Sequence, residues 1–382
     1  MSTSIHRSVR RTAALGAALV IGIAGLSACG ANDDDNGDNG DGGGSGDGAS
    51  DNGGGATSGT IALLLPESKT TRYEAFDKPM FEAKVADLCP DCKVDYYNAD
   101  QDEAKQAQQM TTALNDGAQV VVLDPVNGEG ATGMVEEAQG QDVPVIAYDR
   151  LITNADYYMS FDNETVGKMQ AEALVDAVGE AGDILMLNGS PSDPNAAQFK
   201  TGAHSVLDDS DLTIVEEYDN PDWSPENAQQ WTSDQLSKYD PSQIAGVYAA
   251  NDGQAGGVVA ALTGAGVALD ALPPITGQDA ELAAIQRILA GEQAMTIYKP
   301  IRIEAETAAE VAVELLGGGE VSGTSETGIE QTEYEGVPSY IFTPIVVTKD
   351  NVADTVIKDG FYTAADVCTG DYADDCQAAG IS

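Results

Sequence analysis

Asp149 and Arg150 stand side by side at the end of an apolar run, Val143-Pro-Val-Ile-Ala-Tyr148. A carboxylate only accepts hydrogen bonds and a guanidinium only donates them, so the pair offers what is needed to hold vicinal hydroxyls. Taken alone, a local ion pair at a loop mouth is the simpler reading. A second candidate is Gly128-Glu-Gly130-Ala-Thr-Gly133, which follows one apolar run and precedes the run ending in Asp149. That is the layout of a dinucleotide-binding turn with its ribose acid. Asp124-Pro-Val-Asn127 separates strand from glycines, however, and Glu129 would put a negative charge where a pyrophosphate must sit. Cys89-Pro-Asp-Cys92 has redox spacing, but it lies between a helix and a strand instead of opening a helix, so a structural staple fits better. Histidines are confined to His6 and His204, so a His-based triad or His-rich metal site would hang on His204 alone. Gly189-Ser190-Pro191 lacks the Gly-x-Ser-x-Gly of a nucleophile elbow. No catalytic residue, metal or cofactor is expected.

These residues need elements to position them. From Thr60 onward, apolar runs alternate with helical patterns. Strands are expected at Ile61 to Leu65, from Val94, Val120 to Leu123, from Val143, Ile184 to Leu187, Thr213 to Tyr218, Ile244 to Ala249 and Pro274 to Gly277. Helices are expected around Phe81 to Leu88, from Asp100 (as cap, with Glu103 three residues on) to Gly117, and up to Gln139. Further helices run from Glu164 to Val178, Asn195 to Leu207, Pro225 to Leu236, Gln254 to Leu262 and Glu281 to Ala290. Such alternation predicts the α/β class with doubly wound parallel sheets. Two sheets fit better than one, because a single core stops growing near about 250–300 residues. Ligands of such sheets bind beyond the carboxyl ends of the strands. There the sequence places Lys69, Arg72 and Tyr73; Asp149 and Arg150; Asn195; Trp223; Asn251 and Asp252; Gln278 and Asp279; and Lys299. Each has a plain alternative: Asn195 as a helix cap, Asn251-Asp-Gly253 as a turn, Trp223 as core. Together they form a set of acids, amides, cations and aromatics suited to sugar hydroxyls and the apolar face of a pyranose.

Charge and address narrow the field. The 382 residues carry 63 acidic and 18 basic side chains, a formal charge of -45. This argues against nucleic acid and anionic membranes as partners held by bulk charge. Arg7, Arg10 and Arg11 precede a short apolar stretch ending in Leu26-Ser-Ala-Cys29. The pattern is expected to be a lipoprotein signal over residues 1–28, with Cys29 lipidated and the lipid as the sole membrane anchor. Residues 29–59, rich in Asp, Asn, Gly and Ser, are expected to be a disordered acidic tether. Four cysteines remain, Cys89, Cys92, Cys368 and Cys376. Three connectivities are open to them, and the two local pairs are favoured in an exported chain.

Seven short motifs then occur in order: Ala147-Tyr-Asp-Arg150, Ser160-Phe-Asp-Asn163, Gly189-Ser-Pro191, Trp223-Ser-Pro-Glu-Asn227, Asn251-Asp-Gly253, Gly277-Gln-Asp-Ala280 and Thr296-Ile-Tyr-Lys-Pro300. In these the chain resembles the type I periplasmic sugar-binding proteins of ABC importers. It is most similar to the xylose-binding branch, with the multiple-sugar receptors near it. The resemblance covers Thr60 to about Leu316. It implies a non-enzymatic, monomeric receptor that holds a monosaccharide between two lobes and hands it to permease and ATPase subunits. The N-terminal lobe would comprise 60–162 plus 300–343 and the C-terminal lobe 163–299 plus 344–382. The crossovers would lie near Asp162-Asn163, Lys299-Pro300 and Phe342-Pro344. The implied ligand set is Lys69, Arg72, Tyr73, Asp149, Arg150, Asn195, Trp223, Asn251, Asp279 and Lys299, with Tyr73 and Trp223 sandwiching the sugar ring. Where this chain has Tyr73 the family often has Trp. The alternatives are a sensor presenting bound sugar to a membrane receptor, and a dinucleotide enzyme using Gly128 to Gly133.

Overall fold

A computed structural model describes residues 58–319 and 321–381. The export segment, Cys29 and the tether up to residue 57 lie outside the described residues. The chain opens with β1 (Ser58–Leu65), α1 (Lys78–Leu88), β2 (Asp91–Asn98), α2 (Glu103–Asn115), β3 (Val120–Leu123), α3 (Thr132–Gln139), β4 (Val145–Tyr148) and β5 (Tyr157–Phe161). It continues through α4 (Asn163–Val178), β6 (Gly182–Asn188), α5 (Pro194–Leu207), β7 (Leu212–Asp219), α6 (Pro225–Gln235), β8 (Ile244–Ala249), α7 (Asp252–Gly264) and α8 (Leu282–Ala290). The last part holds β9 (Thr296–Tyr298), α9 (Ile301–Leu316), β10 (Thr332–Tyr334), β11 (Val337–Phe342), β12 (Ile345–Val347), α10 (Ala364–Val367) and α11 (Ala373–Ala378).

Seven strands form the first sheet in the order β10-β11-β5-β4-β3-β1-β2, all neighbours parallel except the edge pair β10-β11. In the second sheet β6 runs parallel to β7 on one side and to β8 on the other. A short antiparallel pair joins β9 to β12. The apolar runs explain the layering. Successive strand residues face opposite sides, and here both sides are covered. Ile61, Leu63, Val120 and Val122 enter one cluster, while Ala62, Leu64, Val121 and Leu123 enter another. Ile184 and Met186 part from Leu185 and Leu187 in the same way across the second sheet. The first cluster also takes Ile285 and Ile288 of α8 and the tail residues Val352, Val356, Phe361, Tyr362 and Val367. Residues expected in different lobes thus share one apolar cluster.

Several local expectations change. Asp102, not Asp100, caps α2: its side chain accepts from the Lys105 amide at 3.0 Å, while Asp100 sits in the preceding turn at φ 51°. β1 starts at Ser58, two residues inside the stretch read as tether, because Ser58 and Gly59 pair with Asp91 and Cys92 of β2. Pro274 to Gly277 is no strand. It contributes one bridge, Ile275 to Val247. Strands β5, β9, β10, β11 and β12 were absent from the sequence reading; three of them have only three residues, too short to show a period. The Gly-rich segment after Leu316 holds an antiparallel bridge, Thr324 to Glu330, and the Glu326 amide donates to Glu310 at 2.9 Å. Disulfides join Cys89 to Cys92 and Cys368 to Cys376.

α4 and α5 lie unusually close. A Cβ on Gly167 would sit 1.9 Å from the Phe199 carbonyl oxygen, and one on Gly202 would sit 2.0 Å from that of Glu164. This contact fixes α5, and with it the pocket residues at its N-terminus.

Candidate functional site

The strands end on a common cleft lined by Arg72, Tyr73, Asp149, Arg150, Asn195, Trp223, Asn251, Asp279 and Lys299, together with Thr70, Asp193, Phe199 and Gln278. Every ligand residue expected from sequence is there except Lys69. Its ammonium instead meets Asp222 at 2.5 Å on the rim, with the Lys69 side chain 39% exposed. That neighbour comes from the loop before Trp223, which no sequence period could have placed opposite Lys69. Thr70, Asp193 and Phe199 were missed. Asp193 could have been suspected as a cap, since Pro194 follows it at the first helical position; Phe199 reads as ordinary helix core.

Local backbone shapes this cleft. The loop after β1 turns around Glu67, a fully buried carboxylate that accepts from the amides of Lys69 and Thr70. The chain then enters a wide helical turn, Tyr73–Asp77, of the kind often found at functional sites. Asp149, Trp223 and Asp279 adopt φ of 58°, 60° and 91°. Such values cost about 1–3 kcal/mol each for residues with side chains, and are retained where the surrounding packing over-determines them. Trp223 is bulky, so its strain is the clearest. Its ring lies where a side chain at position 189 would be: a Cβ on Gly189 would come within 1.9 Å of it. This gives Gly189 of the Gly-Ser-Pro motif a physical role.

Hydrogen bonds tie the walls together. Arg150 Nε meets Asp193 at 2.8 Å, and the other Asp193 contacts are the Trp223 indole N–H at 3.1 Å and the Asn195 amide at 2.8 Å. The Asn195 side-chain NH₂ donates to the Asp149 carbonyl at 3.0 Å. Ser192 Oγ donates to the Val126 carbonyl at 3.1 Å, and the Thr71 amide to Glu281 at 3.3 Å. Four of these contacts, Arg150 to Asp193, Asn195 to Asp149, Ser192 to Val126 and Thr71 to Glu281, link a segment following the first sheet to one following the second, while the Trp223 and Asn195 bonds to Asp193 stay on the second-sheet side. Asn251 caps α7 through its side-chain oxygen, accepting from the Gln254 amide at 2.9 Å, so it can offer the cleft its NH₂. Asn251 is therefore both cap and wall.

Electrostatics follow from burial. Three cations line the cleft. Lys299 meets Asp279 at 2.9 Å, Arg150 meets Asp193, and Arg72 lies 3.4 Å from Asp149. Burial pushes the Asp149 carboxyl up, but Arg72, Lys299, Arg150 and the Tyr73 hydroxyl outweigh it and hold Asp149 below its usual range. Asp193 goes the other way, raised chiefly by burial. Glu281 is pushed up to about 7 by burial and by Asp279. Two buried lining acceptors, Asn195 Oδ1 and Gln278 Oε1, have no hydrogen-bond partner among the described residues. Orphaned acceptors of this kind call for donors. The space between the walls is about 20 Å³, room for about one water.

Chemistry other than binding finds little support. His204 is a surface group between Asp208 and Glu217. No three His, Cys, Asp or Glu among the described residues are grouped to hold a metal ion. In the Gly128 to Gly133 stretch, the Gly128 amide goes to the Ser192 carbonyl and the Gly130 amide to the Asn127 side chain. Those are the amides a pyrophosphate would need. No described helix is long and apolar enough to cross a membrane.

The fold and site define a solute-binding protein of the periplasmic type, and the chain belongs to that family. Residues 61–320 match the periplasmic binding protein domain. Over 315 residues the chain is 40% identical to the D-xylose-binding periplasmic protein of Escherichia coli, spanning 80% of this chain and 92% of that one. It is 32% identical to a multiple sugar-binding periplasmic protein of Azospirillum brasilense, over 80% and 90% of the two chains. Among solved structures, an ABC transporter solute-binding protein of Clostridium phytofermentans with bound β-D-glucose is similar with a TM-score of 0.71 and 27% identity. The match covers 81% of this chain and 99% of that one.

Proposed function

We propose that this protein captures a monosaccharide, xylose or a similar pentose or hexose, and delivers it to the permease and ATPase of an ABC importer. The observation that carries this reading is the lining of the cleft: acids, cations and amides with two unpartnered buried acceptors, beside the rings of Tyr73, Phe199 and Trp223. Hydroxyls are both donors and acceptors, so a polyol can satisfy such a wall, and sugar C–H faces suit the aromatic rings. The ligand set is Arg72, Tyr73, Asp149, Arg150, Asn195, Trp223, Asn251, Asp279 and Lys299, with Asp193 added and Lys69 assigned to the rim. Homology to sugar-binding relatives supports the same class.

Two lobes, 60–162 with 300–343 and 163–299 with 344–382, part to admit the sugar. The ligand then bridges the strand ends of both sheets and stabilises the closed form by its contacts to both sides. The receptor is a monomer, held at the outer face of the cell membrane by lipid on Cys29.

Calorimetry of the chain from Thr60 onward with xylose, glucose, galactose, arabinose and ribose tests this. At least one sugar should bind at roughly micromolar Kd, about -8 kcal/mol. Silence toward all five, with a response to NAD, would replace this reading by a dinucleotide-binding one.

A further inference from the structure

Arg72 is held by three carboxylates from three elements. Its Nε and Nη2 reach Asp77 at 3.0 and 2.7 Å, Nη2 also reaches Glu304 at 2.9 Å, and Nη1 lies 3.4 Å from Asp149. Asp77 belongs to the helical turn after Arg72, and Asp149 is part of the cleft wall. Glu304 lies on α9 behind the wall, fully buried and outside the lining. A single guanidinium cannot balance three ionised acids, and an uncompensated carboxylate out of water is costly.

The remaining groups facing this cluster decide which acid gives way. Asp149 also has Lys299, Arg150 and the Tyr73 hydroxyl near it. Asp77 has two bonds from Arg72 and one from the Tyr148 hydroxyl. Glu304 has one contact with Arg72, and its Oε1 has no hydrogen-bond partner among the described residues. Its other titratable neighbours are more distant: Lys299, Tyr148 on β4 and Tyr158 on β5. Glu304 is thus the acid least supported in its charged form, and burial pushes its carboxyl well above the usual range.

We propose that Glu304 is a positioning residue for sugar capture: a protonated carboxyl on α9 that orients Arg72 toward the cleft and, on losing its proton, draws the guanidinium back. The inference rests on the monosaccharide reading above. A neutral Glu304 restrains Nη2 by one hydrogen bond and leaves Nη1 to Asp149 and the ligand. An ionised Glu304 competes for the same cation through a short contact in a low-dielectric site, where such attraction is strong. Sugar affinity should therefore fall as pH rises.

The test compares wild type, Glu304→Gln and Glu304→Leu by calorimetry with the sugar the wild type binds, from about pH 6 to about pH 9. Glu304→Gln, which mimics the protonated acid, should bind within about threefold of wild type at the lower pH and lack the wild-type decline at the higher. Glu304→Leu should bind at least about tenfold more weakly. Glu281, pushed up to about 7 by burial, is common to wild type and Glu304→Gln and cancels between them. Wild-type affinity in Glu304→Leu, or an unchanged pH profile in Glu304→Gln, would overturn the proposal. Should the Leu variant fail to fold, the wild-type and Gln profiles decide alone. A wild type that binds no monosaccharide at any pH sinks the functional reading itself, and this inference with it.

Discussion

Trp223 shows how much a single residue here depends on its surroundings. Its backbone is held at φ 60°, its indole N–H is committed to Asp193, and its ring occupies space that only a glycine at 189 leaves open. A ring fixed by so many constraints loses little entropy when a sugar stacks on it. Asp149 is constrained in the same way, with φ 58°, its carbonyl taken by Asn195 and its carboxylate facing Arg72 and Tyr73. Trp223→Ala and Asp149→Ala should each weaken sugar binding at least tenfold, about 1.4 kcal/mol, in calorimetry. The control is Lys69→Ala. Its partly exposed pair with Asp222 is of the class worth roughly 0–1 kcal/mol, so affinity should change by no more than about threefold. Equal effects from all three would mean that cleft and rim are misassigned.

Among the elements, the C-terminal tail contributes more than a chain end usually does. Phe361 stacks on Phe76 at 4.0 Å, Tyr362 meets the same ring edge-on, and the Gln286 side chain of α8 donates to the Val367 carbonyl at 3.1 Å. The bridge from Cys368 to Cys376 closes the last turns over this contact. In the chain-entropy view, a loop of about eight residues contributes about 2–3 kcal/mol. Cys368→Ser with Cys376→Ser should therefore lower Tm by several degrees under non-reducing conditions. None of the cleft residues belongs to this tail, so sugar affinity at low temperature should hold within about threefold. An unchanged Tm would show that the aromatic stack suffices without the bridge.

For the whole molecule, pH sensitivity comes from acids taken out of water between the two sheets. Glu281 bonds the Thr71 amide across the cleft and is pushed up to about 7. A raised carboxyl pKa means that the folded state holds the proton more tightly than the unfolded chain does. Its stabilising share is complete below the usual value near 4.5 and is lost as pH rises through about 7. Glu281→Gln cannot ionise, so it should gain on the wild type by up to about 3 kcal/mol between about pH 5 and pH 8. Denaturant unfolding across that range measures the difference. A constant gap would mean that Glu281 stays ionised throughout.

What the sequence determined by itself was the order of the parallel units and most of the cleft. The runs at Ile61, Val120, Val145 and Ile184 are apolar on both faces, which only covered strands tolerate. The residues just beyond such strands were polar or aromatic where a loop needs neither. Tertiary structure alone decided what depends on pairing between distant segments. It sent Lys69 to Asp222 instead of the cleft, made Asp193 the partner of both Arg150 and Trp223, and placed Glu304 behind Arg72 from 232 residues away. A sequence period reports which face of an element is buried. It carries no information about which buried charge from another element will lie opposite, and at Arg72 that meeting brings three carboxylates onto one guanidinium.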